Sequence, residues 1–109
     1  MEIAPGVFVS SVNPDAWVPD DDPAGEMHEL CRTAGAWAGV SRFPADWTEP
    51  FVFTVPERET ILILEGGARI EIAEGPTLEL RAGDMASIPK GAVTTWHLTT
   101  PFKEFWVIT

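Results

Sequence analysis

The stretch Glu59 to Gly91, ETILILEGGARIEIAEGPTLELRAGDMASIPKG, decides the fold, because short runs with strand periodicity alternate in it with turn chemistry. Ile61 to Leu64 is an apolar run, and Gly66-Gly67 supplies the permissive φ values of a tight hairpin. Ala68 to Ala73 then alternates Ile70 and Ile72 with Arg69 and Glu71. Gly75-Pro76 makes the next turn, and Leu78 and Leu80 alternate with Thr77, Glu79 and Arg81. Ala82-Gly83-Asp84 leads into Met85 to Ile88, and Pro89-Lys90-Gly91 closes the set. The stretch predicts a β-meander.

Outward from it the chain keeps the same character. Gly6 to Val12 is rich in β-branched and aromatic residues and predicts an edge strand that ends at Asn13-Pro14. Pro14, Pro19 and Pro23, with the run Asp20-Asp21-Asp22, rule out a helix and predict an extended arm on which Trp17 packs against the barrel or a partner subunit. Glu26 to Arg32, Ala36 to Phe43 and Phe51 to Val55 are further strands, with Gly39 leaving room inside and Trp47 in the loop Pro44 to Pro50. Val93 to Thr99 and Phe102 to Ile108 are expected as two strands separated by Thr100-Pro101. No ten-residue stretch has helical periodicity, so the expectation is all-β, a closed barrel or jelly roll.

Glu59, six residues, then Gly66 resembles the end of the first cupin motif, and Gly83, five residues, Pro89, one residue, Gly91 resembles the start of the second. With GAWAGVSRF before, TTWHLTTPFKEFWVI after and Lys103 in the last strand, the chain looks like the single-domain, RmlC-like cupins related to the (S)-ureidoglycine aminohydrolase cupin domain. The resemblance implies a double-stranded β-helix over residues 26–109, with an N-terminal arm and edge strand over 1–25.

At 109 residues the chain is one domain that can bury a core without disulfide or metal. Its single Cys31 allows no internal disulfide, which suits a reducing cytoplasm, and Cys31 reads as a small core residue. The N-terminus has no basic segment followed by an apolar run, and no stretch approaches the length of a membrane span; a soluble, cytoplasmic protein is expected. Seventeen acids against seven bases, a net charge of −10, exclude nucleic acid and anionic membrane as natural partners. Residues 1–31 hold seven of the acids and no Lys or Arg, as a solvated acidic arm would.

Metal-binding cupins place two histidines, one residue apart, three or four residues before the glutamate, and a third in the second motif. By the resemblance those places hold Phe53 and Val55, or Val52 and Thr54, and then Thr94, which has two residues between it and Gly91. The carboxylate, imidazole and amide of ureidoglycine aminohydrolase are missing too. A divalent first-row ion needs at least three protein ligands and only Glu59 remains, so neither metal nor other cofactor is expected.

If Thr94 points inward, alternation brings Trp96 and Leu98 inward and turns His97 out. By the same count Glu59 shares the lumen with Ile61 and Ile63, among Phe53, Val55 and Trp96, where burial raises a carboxyl pKa unless a cation compensates. Family position makes Arg42 and Lys103 the nearest such cations. Two readings of Glu59 stand: a structural carboxylate satisfied by Arg42, Lys103 or the Trp96 indole, or a general acid/base. Trp37, Trp47 and Trp96 are candidate pocket walls, while Trp17 and Trp106 are read as packing.

The reading favoured is a small-molecule-binding cupin without metal, its ligand in the lumen against Trp37, Arg42, Trp47, Phe53, Val55, Thr94, Trp96 and Lys103 and contacting Glu59. The alternatives are a metal-independent isomerase, lyase or cyclase using Glu59, and a scaffold with a filled barrel. Leu62 and Leu64 are left pointing outward, which predicts a homodimer.

Overall fold

The computed structural model describes residues 1–20 and 25–109; the Asp21 and Asp22 of the acidic run and Pro23 of the arm lie outside the described residues. Every regular element among them is a strand, and the expected all-β jelly-roll barrel is what forms. The strands are β1 (Glu2–Ala4), β2 (Val7–Phe8), β3 (Val18–Pro19), β4 (Glu26–Arg32), β5 (Trp37–Phe43), β6 (Phe51–Thr54), β7 (Glu59–Ile72), β8 (Thr77–Arg81), β9 (Met85–Ile88) and β10 (Val93–Ile108). One sheet runs β3-β4-β5-β10-β7-β8, with β6 also paired to β10 and β9 to β7.

Two long strands replace four predicted short ones. Glu59 to Ile72 is a single strand of 14 residues, with no hairpin at Gly66-Gly67. Gly66 adopts φ +75°, but its left-handed conformation makes a bulge in place of a turn. The bulge inverts the side-chain phase: Glu59, Ile61 and Ile63 are buried before it, Ala68 and Ile70 after it. A Cβ on Gly66 would strike the backbone oxygens of Thr99 and Pro101, so the close approach of β10 requires glycine there.

The stretch is therefore not a meander. β8 and β9 pair with opposite halves of β7, Gly67 to Glu71 and Glu59 to Leu62 respectively, and share no ladder with each other. Likewise β10 is one strand of 16 residues that runs through a cis Thr100–Pro101 bond. Its inward phase is unbroken from Thr94 and Trp96 through Phe102, Glu104 and Trp106. Its second half lies between β5 and β7, where Glu104 is opposite Ser41 on one side and Ile63 on the other.

The N-terminal strand is shorter than expected and pairs with β1 alone, as a two-stranded hairpin outside the main sheet. The segment after it lies on its own barrel. Ser10 Oγ and His28 Nε2 share a 2.6 Å hydrogen bond, the His28 Nδ1 is 3.1 Å from Ala16 O, and Lys103 Nζ donates to Asn13 Oδ1 at 2.6 Å. Trp17 packs beneath the Arg42 guanidinium, 4.0 Å from its ring centre, and edge-on to His28.

Candidate functional site

Alternation on three neighbouring strands aims one set of side chains into the barrel. From β5 come Trp37, Ser41 and Phe43, from β7 Glu59, and from β10 Trp96, Phe102, Glu104 and Trp106. With Phe51 and Phe53 of β6, Met27 of β4 and Asp20 at the end of the arm, they enclose a cavity of about 250 Å³. That lies just below the usual range for pockets that take drug-sized molecules, roughly 300 to 1,000 Å³.

The wall is aromatic and continuous. Phe43 and Phe51 stack at 5.5 Å and 11°, Phe51 and Trp96 at 5.9 Å and 12°, while Trp37 meets Trp106 edge-on at 4.9 Å. Each indole N–H is already used: Trp37 Nε1 donates to Glu29 Oε1 at 2.8 Å, Trp96 Nε1 to Thr94 Oγ1 at 2.8 Å and Trp106 Nε1 to Ser41 Oγ at 2.7 Å. These three rings turn faces and edges, not donors, toward the space they bound.

Two carboxyls interrupt this wall. Glu59 is 5% exposed and Glu104 8% exposed, and the Oε2 of Glu104 has no hydrogen-bond partner. Burial pushes the Glu59 carboxyl up from 4.5 to about 7, and the charge of Asp20 adds to the shift. Glu104 rises well above the carboxylate range, through burial first and then the charges of Glu59 and Asp20.

The expected cations are elsewhere. Arg42 and Lys103 face each other across β5 and β10 in the outward phase. Arg42 Nε holds Glu26 Oε1 at 3.0 Å and covers Trp17, while Lys103 binds Asn13. Neither lines the cavity, so both leave the proposed ligand set, and neither compensates Glu59. Trp47 also misses the lumen and packs on Phe43 at 6.0 Å, with its Nε1 buried and unpartnered. Val55 and Thr94 are core residues beneath the wall. Trp106, read from the sequence as packing, is part of the wall, and Glu104 was not anticipated at all.

The positions where metal-binding cupins carry ligands do not fit a transition ion. Phe53 and Val55 offer no donor atom; of the alternative pair, Val52 offers none and Thr54 a single hydroxyl. The Thr94 hydroxyl donates to Phe53 O at 2.6 Å while accepting from Trp96. Among the described residues no three His, Cys, Asp or Glu side chains are grouped to hold a metal.

The family model of the EutQ-like cupin domain matches residues 50–105, just over half of the chain. No curated protein matches the sequence significantly. Among solved structures, similarity extends to a candidate ethanolamine utilization protein Q from Salmonella typhimurium, with 22% identity, 84% of this chain and 76% of that one covered, and a TM-score of 0.71. A candidate mannose-6-phosphate isomerase from Ralstonia eutropha has 20% identity, covers 92% and 95%, and scores 0.69. An RmlC-like cupin from Shewanella frigidimarina has 16% identity, covers 83% and 79%, and scores 0.68. At these identities the likeness is one of fold.

Proposed function

The chain belongs to the EutQ-like cupin domain family, and from that premise we propose a metal-independent cupin that binds a small molecule in its lumen, against the aromatic wall and the carboxyls of Glu59 and Glu104. The observation that carries this is a cavity lined by the buried carboxyl residues Glu59 and Glu104, the second of which has an oxygen, Oε2, without a hydrogen-bond partner. A buried acceptor without a partner costs about 1–3 kcal/mol, which a ligand able to donate a hydrogen bond offsets. A scaffold needs no such space and would fill it.

A second reading has a specific observation behind it. Glu59, raised to about 7, is poised for general acid/base catalysis near neutral pH, as an isomerase, lyase or cyclase would need. The sugar phosphate named for the Ralstonia eutropha structure suits this lumen poorly, since the ionisable groups among its described lining residues are all acidic. Within the family, Glu59, Gly66 and the Gly83 to Gly91 turn pair favour the cupins related to ureidoglycine aminohydrolase, but that enzyme's polar residues are replaced here, so its activity is not carried over. The single thiol of Cys31 supports a reducing, cytoplasmic setting.

Mass spectrometry of protein purified without chelators, with elemental analysis beside it, tests the reading. A small organic molecule released on denaturation, with metal far below one ion per chain, is the expected result. Near-integral Mn, Fe, Ni or Zn that disappears in Glu59→Gln overturns it. Turnover of any substrate abolished by the same substitution decides for the catalytic reading.

A further inference from the structure

We propose that the lumen takes a small organic cation, an alkylammonium group whose N–H donors reach the Glu104 and Glu59 carboxyls while its carbon chain lies on the aromatic wall. This deepens the binding reading above and rests on it.

Three observations select the charge of the ligand. First, the ionisable groups among the described lining residues are Asp20, Glu59 and Glu104, with no Lys, Arg or His. The charged groups of the surrounding strands are engaged elsewhere: on β5 Arg42 with Glu26, on β4 Glu29 with the Trp37 indole, Arg32 over one face of the Trp37 ring at 4.1 Å and His28 with Ser10, and on β10 Lys103 with Asn13. On β7 Glu65 is exposed, and Arg58, just before that strand, donates to Ser87.

Second, the lumen is short of donors. The indoles of Trp37, Trp96 and Trp106 are spent on protein oxygens, as is the hydroxyl hydrogen of Thr94. An anion would find little beyond the Ser41 hydroxyl and the carboxyl protons. Third, Glu104 Oε2 is buried with no partner in a residue that lines the cavity, so a small rotation of the carboxyl would bring it to a donor that the protein does not supply.

The wall suits a cation as well. Phe51, Trp96 and Trp106 bring ring quadrupoles to the space, and a ring face open to a desolvated cation contributes about 0.5 to 2 kcal/mol; one face of Trp37 is already taken by the Arg32 guanidinium. Size then limits the ligand to a handful of heavy atoms in about 250 Å³.

The charge balance is explicit. The ammonium enters with its proton, one buried carboxyl ionises beside it, and the displaced proton goes to the buffer. Burial holds both carboxyls toward the neutral form, so cation binding lowers their pKa and is linked to proton release.

Titration calorimetry with n-butylammonium, n-butanol and butyrate, which share a four-carbon chain and differ in the polar group, tests this in two buffers of different ionisation enthalpy. An alkylammonium stays charged throughout, with a pKa near that of Lys, about 10.4. Butylammonium is expected to bind at least tenfold tighter than butanol, with butyrate weakest, to release up to one proton, and to gain affinity from pH 6 to pH 8. Glu104→Gln and Glu59→Gln should each lose at least tenfold for butylammonium and little for butanol, and Glu79→Ala should match wild type. Butanol binding as tightly as butylammonium, or a proton count of zero at pH 6, sinks the cation and leaves the lumen as a ligand site. No saturable binding of any probe overturns both. The variants' thermal unfolding separates a lost site from a lost fold.

Discussion

Glu59 and Glu104 enter one cavity from adjacent strands, β7 and β10, and no cation faces either of them among the described lining residues. Their protonation is therefore set by burial and by acidic neighbours, the opposite of the salt-bridged glutamate that family position suggested. Burial favours the neutral form of both carboxyls, a form that an exposed glutamate does not take at neutral pH, and such shifts cluster at functional sites.

Stability should fall as the pH rises. A carboxyl raised in the folded state binds its proton more tightly there than in the unfolded chain, so its contribution is fully present below the unfolded value and lost through the folded one. For Glu59 that window runs from 4.5 to about 7 and amounts to about 3 kcal/mol, and Glu104 extends the loss above it. We expect the wild type to melt several degrees lower at pH 8 than at pH 5, and Glu59→Gln to remove much of that slope. An unchanged slope in Glu59→Gln would show that Glu59 is not buried as described.

Gly66 and Gly83 both have positive φ, at 75° and 95°, yet they should tolerate alanine very differently. At Gly83 the new Cβ meets nothing within 4 Å, leaving only the conformational cost of a left-handed residue, about 1 to 2 kcal/mol. At Gly66 it meets the Thr99 and Pro101 backbone oxygens, which cannot move without parting β7 from β10. Urea titration should find Gly83→Ala folded with a slightly lower midpoint, and Gly66→Ala largely unfolded. Equal effects would refute the bulge.

Much of the barrel was legible, and the losses have a common cause. Apolar alternation put Glu59, Ile61 and Ile63 inside and His97 outside, as the structure has them. Gly66 carried the correct φ signal, but one left-handed glycine serves a bulge or a turn equally well, and only the neighbour β10 decides. Breaking β10 at Thr100-Pro101 stopped the period-two count at Leu98. Continued from Trp96 at steps of two, it reaches Phe102, Glu104 and Trp106, and would have placed Glu104 in the lumen and Lys103 outside. The distance of Arg42 from Glu59 was not legible, because it depends on a partner, Glu26, that sits 16 residues earlier in the chain.

Thr94 ties the wall to the barrel. Fully buried, it donates to Phe53 O and accepts the Trp96 indole N–H, so Thr94→Val keeps the volume and orphans both groups. We expect a loss of about 1–3 kcal/mol in denaturant unfolding, together with a shift in tryptophan emission and weaker lumen binding as Trp96 loosens. Thr94→Ser, which retains the hydroxyl, should recover the emission. A Thr94→Val protein as stable as wild type would mean that these bonds contribute nothing net.

The last expectation concerns the hairpin β1–β2, which stands outside the main sheet and is apolar on its open side. Ile3 is 62% exposed and Val9 53%, with Met1 and Val7 also open, and the segment that follows is held to its own barrel by Asn13, Ser10 and Ala16. The hairpin is thus anchored at its base. On the barrel's outer face Leu62 and Leu64 remain only half-buried. We propose that a second copy of the chain covers these surfaces in an isologous pair, since each copy presents the same patch and a self-complementary contact closes without leaving another open. Burying the four hairpin side chains Met1, Ile3, Val7 and Val9 on each copy contributes at most about 1.5 to 3 kcal/mol apiece, enough to exceed an association cost of about 4 to 15 kcal/mol in the more favourable part of those ranges. Sedimentation at tens of micromolar should therefore give a dimer for the intact chain and a monomer for Ile3→Asp/Val9→Asp, with the same thermal unfolding of the barrel once dissociation is allowed for. A wild-type chain that sediments as a monomer at that concentration rules the pair out, and a dimer that survives the double substitution places the contact elsewhere.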